Sequence, residues 1–299
     1  MSLLAGVLAL GVTAAACGGG GGTSSSGNNG GGGGPNKSEP ITIGLITWGE
    51  DIATTHLWKY ILEQKGYTVK IQQLGVGPTF AGLASGDLDL FFDTWLPVTH
   101  KKYWQRYGDK LTKLTQWYGN ASLHLTVPKY SPANSIADLP KYTKRFDGKI
   151  TGIEAGAGEM GVVHDQVIPK YGLKDAGYTL VEGSTPAMLA ALDKATSEHK
   201  PILVTLWRPH WAYSAYPIKD LKDPKGAMGA TEKLYVVGPK SFPDDHPQVA
   251  KWLGNFKLND KQLGSLENLV LNKMKDNQQQ AVKKWVGQHQ SLVDSWTSG

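Results

Sequence analysis

The feature that most constrains the fold is an alternation of short apolar runs and helical patterns, which occurs twice along the chain. The apolar runs are rich in β-branched residues and end at glycine or polar residues, which is typical of buried strands. The first alternation predicts strands at 41–48, 67–74 and 88–92, with helices at 50–65 and 79–85. The second predicts strands at 149–154, 178–181 and 201–206, with helices at 161–170 and 185–196.

This order of elements predicts an α/β fold, because a strand, a crossover helix and a further strand form a parallel sheet. Two such units in tandem predict two lobes, which we place at residues 41–145 and 146–232. Residues 233–299 are predicted to be a helical segment that packs on the first lobe. Ligands bind outside the carboxyl ends of the strands in open α/β sheets, so the expected site is the cleft between the lobes.

The region before residue 41 differs in composition from the rest of the chain. It holds thirteen of the 37 glycines, and no charged residue precedes Lys37. Residues 3–16 are apolar but too short to span a bilayer, so residues 1–17 are predicted to be a signal peptide. Three alanines precede Cys17, and this pattern resembles a bacterial lipobox, which implies a lipid-modified cysteine. Residues 18–40 are rich in Gly, Ser and Asn, which is typical of a flexible tether.

Charge and cysteine content exclude several classes of function. The net charge is only +5 and the basic residues are scattered, so the electrostatic footprint of a nucleic-acid-binding protein is missing. The single cysteine rules out an intrachain disulfide framework and a zinc site built from several cysteines. The histidines show no metal-ligand spacing, and no nucleophile motif such as G-x-S-x-G is present. We therefore predict a monomeric binding protein that is not an enzyme and holds no cofactor or metal.

Three of the ten tryptophans lie at the ends of predicted strands. Trp48 ends the first strand, Trp95 follows the third, and Trp207 follows the last strand of the second lobe. Their common position predicts an aromatic box in the cleft, whereas packing in the core is the alternative for each one. Such a box suits a quaternary ammonium group, which has no N–H to donate, because indole faces carry a negative quadrupole. His100, shortly after Trp95, is a candidate donor to a ligand carboxylate.

A glycine-rich segment matches the pattern G-x-G-x-x-G between a predicted strand and a predicted helix. Its glycines are Gly156, Gly158 and Gly161, and Glu182 follows near the end of the next strand. An NAD-dependent enzyme is therefore one interpretation. Free backbone N–H groups at such a turn also attract other anions, including carboxylates. An exported lipoprotein has no obvious supply of nicotinamide cofactor, which favours the second interpretation.

Longer segments resemble the glycine betaine-binding proteins of ABC importers, over about residues 41–296. The segments that carry the resemblance are W-G-E-D-I-A from Trp48, D-T-W-L-P-V-T-H from Asp93, T-G-I-E-A-G-A-G from Thr151, W-R-P-H-W from Trp207 and D-P-K-G from Asp223. The resemblance implies the two-lobed fold of periplasmic binding proteins, with a ligand cleft between the lobes. It also implies a prism of three tryptophans around a trimethylammonium group.

The resemblance further implies that two consecutive backbone amides and a histidine side chain hold the ligand carboxylate. The ligand-binding residues that it implies are Trp48, Trp95, Trp207, His100, Gly158 and Glu159. Glu159 departs from the small or apolar residue expected after the glycine, because its charge would repel a bound carboxylate. A Glu159 side chain in solvent would leave only its N–H to act. A side chain turned inward would favour a ligand without a carboxylate, such as choline.

The function that the resemblance implies is the capture of a quaternary ammonium osmoprotectant, glycine betaine or proline betaine, and its delivery to an ABC permease with its ATPase. A choline- or carnitine-binding protein of the same class is one alternative. A ligand sensor that presents its closed form to a receptor is another, and a secreted enzyme is a third. Lipidation of Cys17 would hold the protein at the extracytoplasmic face of the bacterial cell membrane.

Overall fold

A computed structural model describes residues 39–298 of the protein. The predicted signal peptide with Cys17, and the predicted tether up to residue 38, lie outside the described residues. Their roles therefore stay predictions. Within the described residues, no helix combines the length and the apolar character that crossing a membrane requires.

The strands of the described chain form one nine-stranded sheet. They are β1 (Ile41–Leu45), β2 (Val69–Gln73), β3 (Leu90–Leu96), β4 (Leu111–Pro128), β5 (Lys149–Thr151), β6 (Thr179–Val181), β7 (Val204–Arg208), β8 (Ile218–Asp220) and β9 (Glu232–Pro239). The α-helices are α1 (Gly49–Gln64), α2 (Val76–Ser85), α3 (Lys101–Tyr107), α4 (Gly158–Val162), α5 (Ile168–Tyr171), α6 (Thr185–Ser197), α7 (Ala212–Ala215), α8 (Phe242–Asp245), α9 (Pro247–Gly254), α10 (Asp260–Glu267), α11 (Gln278–Gln288) and α12 (Gln290–Thr297). Short 3-10 helices span Gly108–Lys110 and Ile136–Phe146, and π-helical segments span Val163–Val167 and Asn268–Lys273.

The first predicted alternation of strands and helices is confirmed. β1 pairs in parallel with β2 and with β3, and α1 and α2 are the crossover helices. Apolar side chains bury β1 and β3, since Ile41, Ile43 and Leu90 are fully enclosed. α2 ends at Gly86, which adopts a left-handed conformation with φ of 83°. Glycine has no Cβ and takes this conformation without strain, so the chain can turn back toward β3.

The second predicted alternation is also confirmed. β5 pairs in parallel with β6 and with β7. Helix α6 follows β6 and precedes β7 along the chain. α6 begins at Ser184, whose side chain accepts a hydrogen bond from the backbone N–H of Ala187. This N-cap satisfies one of the free amides of the first helical turn, and Pro186 in that turn has no N–H to satisfy.

Two strands that the sequence pattern did not predict join the two halves into one mixed sheet. β9 pairs antiparallel with β3 and with β4. β4 is 18 residues long; its first part, Leu111 to Ala121, lies beside β9, and its second part, from Ser122, lies beside β7 and β8. The strand order is therefore β2-β1-β3-β9-β4-β7-β5-β6. β4 is the strand that both halves share.

We define lobe 1 by β1, β2, β3, β9 and the first part of β4, and lobe 2 by the second part of β4 and β5 to β8. The chain passes into lobe 2 between Ala121 and Ser122, earlier than the boundary expected after residue 145. It is back in lobe 1 at β9, so residues 232–239 form a strand where the pattern predicted the start of a helical segment. Both differences follow from the antiparallel pairing of β4 and β9, the two strands that the sequence pattern did not predict.

The helices after β9 pack against lobe 1. Trp296 of α12 stacks on Trp58 of α1 with ring centroids 6.3 Å apart, and Phe256 meets Trp58 edge to face at 5.3 Å. These rings belong to the hydrophobic core. The predicted helical segment is interrupted at His289, whose non-helical backbone (φ −128°, ψ 30°) separates α11 from α12.

Candidate ligand-binding site

The three tryptophans predicted from their strand-end positions lie on the wall of one cavity. Trp48 caps the start of α1 directly after β1, whereas Trp95 and Trp207 lie within β3 and β7. The latter two strands extend past the predicted ends because Trp95 lies opposite Leu234 of β9 and Trp207 lies opposite Leu123 of β4. The Trp48 and Trp207 rings meet at 67° with centroids 6.5 Å apart. We call these three rings the cage.

Each cage ring donates its indole N–H to a carboxylate. Trp48 Nε1 donates to Glu154 Oε1 at 2.5 Å, and Trp95 Nε1 donates to Asp93 Oδ1 at 2.8 Å. Trp207 Nε1 donates to Glu50 Oε2 at 2.9 Å. A buried indole N–H needs an acceptor, and each of these bonds fixes the direction in which its ring edge points. The ring faces are left free to line the cavity.

Sequence reasoning assigned no role to these three carboxylates, although one of them, Asp93, had a local signal. Asp93 lies two residues before Trp95 on β3, and residues two apart on a strand point to the same face. Glu50 lies two residues after Trp48, but its indole partner Trp207 is 157 positions away. No local sequence pattern predicts a contact between two residues so far apart in the chain.

Several side-chain contacts of the site cross between the lobes. Trp48 and Glu50 belong to lobe 1, whereas their partners Glu154 and Trp207 belong to lobe 2. In addition, the Tyr103 hydroxyl donates to the backbone carbonyl of Gly156 at 2.8 Å. The lobes are therefore closed on each other around the cage.

Glu50 and Asp93, which we call the carboxyl pair, accept hydrogen bonds from the Trp207 and Trp95 indoles. Both side chains are buried, at 1% and 0% exposure, and Glu50 also lines the cavity. Burial raises the pKa of Glu50 to about 7, although the indole N–H of Trp207 offsets part of the effect. Burial, together with the charges of Glu50 and Asp51, raises the pKa of Asp93 well above its usual range.

His100 lies behind the cage rather than on the cavity wall. It is fully buried and stacks on Trp48, with ring centroids 5.5 Å apart and planes inclined by 15°. Its Nδ1 accepts a hydrogen bond from the backbone N–H of Trp95 at 3.0 Å, and burial lowers its pKa to about 3. The neutral ring therefore carries its proton on Nε2, which has no hydrogen-bond partner among the described residues. Its predicted contact with a ligand carboxylate stays a prediction.

Gly158 lines the cavity at the point where the lobes touch most closely. A Cβ at this position would lie 2.0 Å from the carbonyl oxygen of Thr99 in lobe 1. Only glycine therefore permits this approach of the two lobes. The structure thus gives this turn a role in closing the lobes. Its predicted role in holding a ligand carboxylate stays a prediction.

The Glu159 side chain is turned inward and is 2% exposed. Neither carboxylate oxygen has a hydrogen-bond partner among the described residues. Burial raises the pKa of Glu159 well above its usual range. The inward side chain is the arrangement that, from the sequence, favours a ligand without a carboxylate, whereas the raised pKa lessens the repulsion of a neighbouring carboxylate.

A sequence profile of the substrate-binding domain of ABC-type glycine betaine transport systems matches residues 39–288. The chain belongs to this family. Membership of the family places the chain among transport binding domains and confirms the resemblance that the tryptophan segments carry.

Three members illustrate how far the similarity extends. GbuC of Listeria monocytogenes, a glycine betaine/carnitine transport binding protein, is 32% identical over 179 residues; the match covers 60% of this chain and 57% of GbuC. Lactococcal OpuAC, crystallised closed with glycine betaine, is 32% identical with a TM-score of 0.80, over 87% of this chain and 100% of that chain. ProX from Borrelia burgdorferi is 30% identical with a TM-score of 0.81, over 86% and 96%. The predicted two-lobed fold with a ligand cleft is thereby confirmed.

A wider opening between the lobes adjoins the cage, and both share Thr99, Ala157 and Gly158 on their walls. Its wall carries the basic side chains of Lys101, Lys102, Arg106 and Lys170. Lys102 forms an ion pair with Asp165 of lobe 2 at 3.1 Å. Within residues 39–298, no cluster of three or more His, Cys, Asp or Glu side chains is arranged to hold a metal ion.

Proposed function

We propose that this chain captures a quaternary ammonium osmoprotectant, glycine betaine or proline betaine, and delivers it to an ABC permease with its ATPase. The observation that carries the proposal is the cage itself. Both lobes contribute indole rings to one cavity, and all three indole N–H groups donate to carboxylates. Membership of the glycine betaine family supports the same function.

The chemistry of the cage suits a trimethylammonium group. Such a group has no N–H, so hydrogen-bond acceptors discriminate poorly in its favour, whereas each indole face attracts it by about 0.5–2 kcal/mol. The carboxylates that accept from the ring edges add negative potential, and Glu50 among them lies on the cavity wall. An ordinary ammonium group would forfeit its hydrogen bonds to water in this cavity, because the wall consists mainly of ring faces and apolar side chains.

The carboxylate end of a betaine is proposed to bind to the backbone amides of Gly158 and Glu159 and to His100. His100 Nε2 carries a proton and has no partner within the described chain, so it is available as a donor. The raised pKa of Glu159 lessens the repulsion that the sequence suggested. These three residues remain proposed ligands.

Choline or carnitine is the second candidate, and the acidic surroundings of the cage are the observation that favours it. Glu50, Asp93 and Glu154 all accept from the ring edges, and choline, which unlike carnitine and the betaines has no carboxylate, would have only their attraction. GbuC is itself named for carnitine as well as glycine betaine. A ligand sensor would use the same cage, whereas a secreted enzyme would need a positioned nucleophile.

Isothermal titration calorimetry of the full-length chain tests the function directly. We expect saturable binding of glycine betaine or proline betaine, with carnitine and choline as the comparison set. Glycine, which keeps the carboxylate but has hydrogens in place of the three methyl groups, is the control and is expected not to bind. Failure of all four quaternary ligands, or equal binding of glycine, would refute the cage as a trimethylammonium site. Copurification with a permease separates a transport protein from a sensor.

The proposed location follows from the class of protein and from the residues before the described part. Substrate-binding proteins of ABC importers are extracytoplasmic, and a lipid anchor at Cys17 would keep this one near its permease. We predict that Cys17→Ala moves the protein from the membrane fraction to the soluble fraction, because the chain then lacks the modified thiol. Unchanged membrane fractionation of this variant contradicts the anchor.

A further inference from the structure

We propose that Glu232 is a positioning residue that holds the turn of Val98 and Thr99 in the place where lobe 2 closes on lobe 1. The proposal rests on the proposed function, because the affinity of a ligand enclosed by two lobes includes the free energy of closing them. Glu232 lies outside both cavity walls, so it acts through the turn rather than on the ligand.

The carboxyl group of Glu232 accepts three hydrogen bonds from this turn. Its Oε1 accepts from the backbone N–H of Val98 at 2.7 Å and from the backbone N–H of Thr99 at 3.0 Å. Its Oε2 accepts from the Thr99 hydroxyl. Glu232 is 1% exposed, and hydrogen bonds shielded from water in this way are stronger than exposed ones. One side chain therefore fixes two consecutive backbone amides and the side chain that follows them.

The two ends of the same loop are tied to each other beside the cage. The backbone N–H of Trp95 donates to His100 Nδ1 at 3.0 Å, and the backbone N–H of His100 donates to the carbonyl oxygen of Trp95 at 3.0 Å. Residues 96–99 lie between these two bonds. The loop is thus held at its ends by Trp95 and His100, and at its tip by Glu232.

Lobe 2 approaches this tip through glycines. A Cβ at Gly158 would lie 2.0 Å from the Thr99 carbonyl oxygen, and a Cβ at Gly229, on the segment that returns from lobe 2, would lie 3.5 Å from the Val98 side chain. Contacts this close leave no room for the tip to shift toward lobe 2, and a shift away would open a gap. The position of the tip therefore decides whether the lobes can close fully.

Glu232 also lies where the chain passes between the lobes. It is the first residue of β9, on the return to lobe 1, and it lies opposite Ala121, the last residue of β4 before the chain enters lobe 2. All three of its hydrogen bonds join parts of lobe 1, so parting the lobes does not by itself break them. The tip is therefore ordered before a ligand arrives, which lowers the entropic cost of closure.

Three substitutions separate the reach of the side chain from its acidity. Glu232→Ala removes the acceptor. Glu232→Gln keeps the length and an oxygen that can accept from both backbone N–H groups, and its amide N–H can donate to the Thr99 hydroxyl. Glu232→Asp keeps an acid but is one methylene shorter. Asp138→Ala is the matched control, since Asp138 also accepts from two consecutive backbone N–H groups, those of Asn134 and Ser135, but lies outside both cavity walls.

Calorimetry with glycine betaine, and small-angle X-ray scattering with and without it, measure the effect on closure below the melting temperature of every variant. We expect Glu232→Ala to bind about tenfold more weakly and to lose part of the ligand-induced compaction, because the turn loses its acceptor. Glu232→Asp should fall with it, whereas Glu232→Gln should stay within about twofold of the wild type. Asp138→Ala should follow the wild type. Unchanged affinity of Glu232→Ala, or a Glu232→Gln protein as weak as Glu232→Ala, overturns the proposal.

Hydrogen exchange of the ligand-free protein tests the turn without any ligand. We expect the peptide that contains Val98 and Thr99 to exchange about tenfold faster in Glu232→Ala than in the wild type, and Glu232→Gln to restore most of the protection. Asp138→Ala should leave this peptide unchanged. If Glu232→Ala exchanges like the wild type, Glu232 does not hold the turn and the proposal is overturned. If exchange follows the expectation but no quaternary ammonium compound binds the wild type, Glu232 holds the turn and the proposed function fails.

Discussion

Lobe 1 supplies two cage rings, Trp48 and Trp95, together with the carboxyl pair, whereas lobe 2 supplies Trp207. Lobe 2 also brings the loop after β5, where Glu154 accepts from Trp48 and Gly158 lies against Thr99. The first lobe therefore holds most of the groups that attract a cation, and the second holds the groups that complete and close the cavity. The comparison teaches that attraction and enclosure are separable, so substitutions in the two lobes should fail in different ways.

The largest effect is expected from removing a ring of lobe 1. Trp95→Ala deletes one face of the cage and leaves Asp93 without its indole donor. One cation–ring contact contributes up to about 2 kcal/mol, so we expect affinity for glycine betaine to fall at least tenfold by calorimetry. Trp252→Phe is the control, because Trp252 lies on α9 outside the cavity wall and its indole N–H has no hydrogen-bond partner among the described residues. Unchanged affinity of Trp95→Ala would refute the cage assignment.

A similar loss through a different route is expected from lobe 2. Gly158→Ala places a methyl group 2.0 Å from the Thr99 carbonyl oxygen, so the lobes cannot close fully although every ring is retained. We expect about tenfold weaker binding and loss of the ligand-induced compaction measured by small-angle X-ray scattering. Gly161→Ala, where nothing lies within 4 Å of the added Cβ, is the matched control. Full compaction of the Gly158→Ala protein would contradict the closing role.

A moderate effect on affinity is expected from removing the hydrogen bond between Trp48 of lobe 1 and Glu154 of lobe 2. Glu154→Leu removes the acceptor of the Trp48 indole N–H and leaves that donor unpaired. The loss of one such hydrogen bond to a charged group costs about 1–2 kcal/mol, so we expect affinity to fall about five- to tenfold. Glu154→Gln keeps an acceptor and should recover most of the affinity. Equal affinity of the leucine variant and the wild type would show that the Trp48 ring is held by packing alone.

The smallest effect is expected at the exposed ion pair beside the cleft. Lys102 and Asp165 join the lobes, but their side chains are 82% and 45% exposed. Solvent screens such a pair, so Lys102→Ala should change affinity by less than about twofold. Lys101→Ala, at the neighbouring exposed position, is the control for the loss of one positive charge. A larger and salt-sensitive change that is specific to Lys102 would mean that this ion pair contributes to closure.

The parallel parts of the fold could be predicted because their signals are local. Each of β1, β2, β3, β5, β6 and β7 is a short apolar run next to a helical pattern. β4 lacks such a signal: Gly119 and Asn120 interrupt it, and its register with β9 shifts at several points along Leu111 to Ala121. Strand alternation is lost at such irregularities, so the strand that joins the lobes could not be found from periodicity.

The site was only partly predictable for the same reason. Trp48, Trp95 and Trp207 could be grouped because each ends a strand that was itself recognisable, and the structure brings all three to one cavity. The burial of Glu159 could not be predicted, since its neighbours His124 and Leu206 lie on the paired strands β4 and β7. The sequence pattern did not predict β4. Long-range packing decides where a charged side chain points, whereas the residue type alone suggests solvent.

The two indole hydrogen bonds that cross between the lobes have a consequence for the release of a bound ligand. Trp48 has its acceptor on lobe 2 and Trp207 has its acceptor on lobe 1, so parting the lobes takes both rings off their acceptors in a single movement. The movement that opens the cavity therefore also frees the orientation of the Trp48 and Trp207 rings. Under the proposed function, a permease that draws the lobes apart would therefore release the ligand in the same movement, because both rings lose their acceptors as the cavity opens.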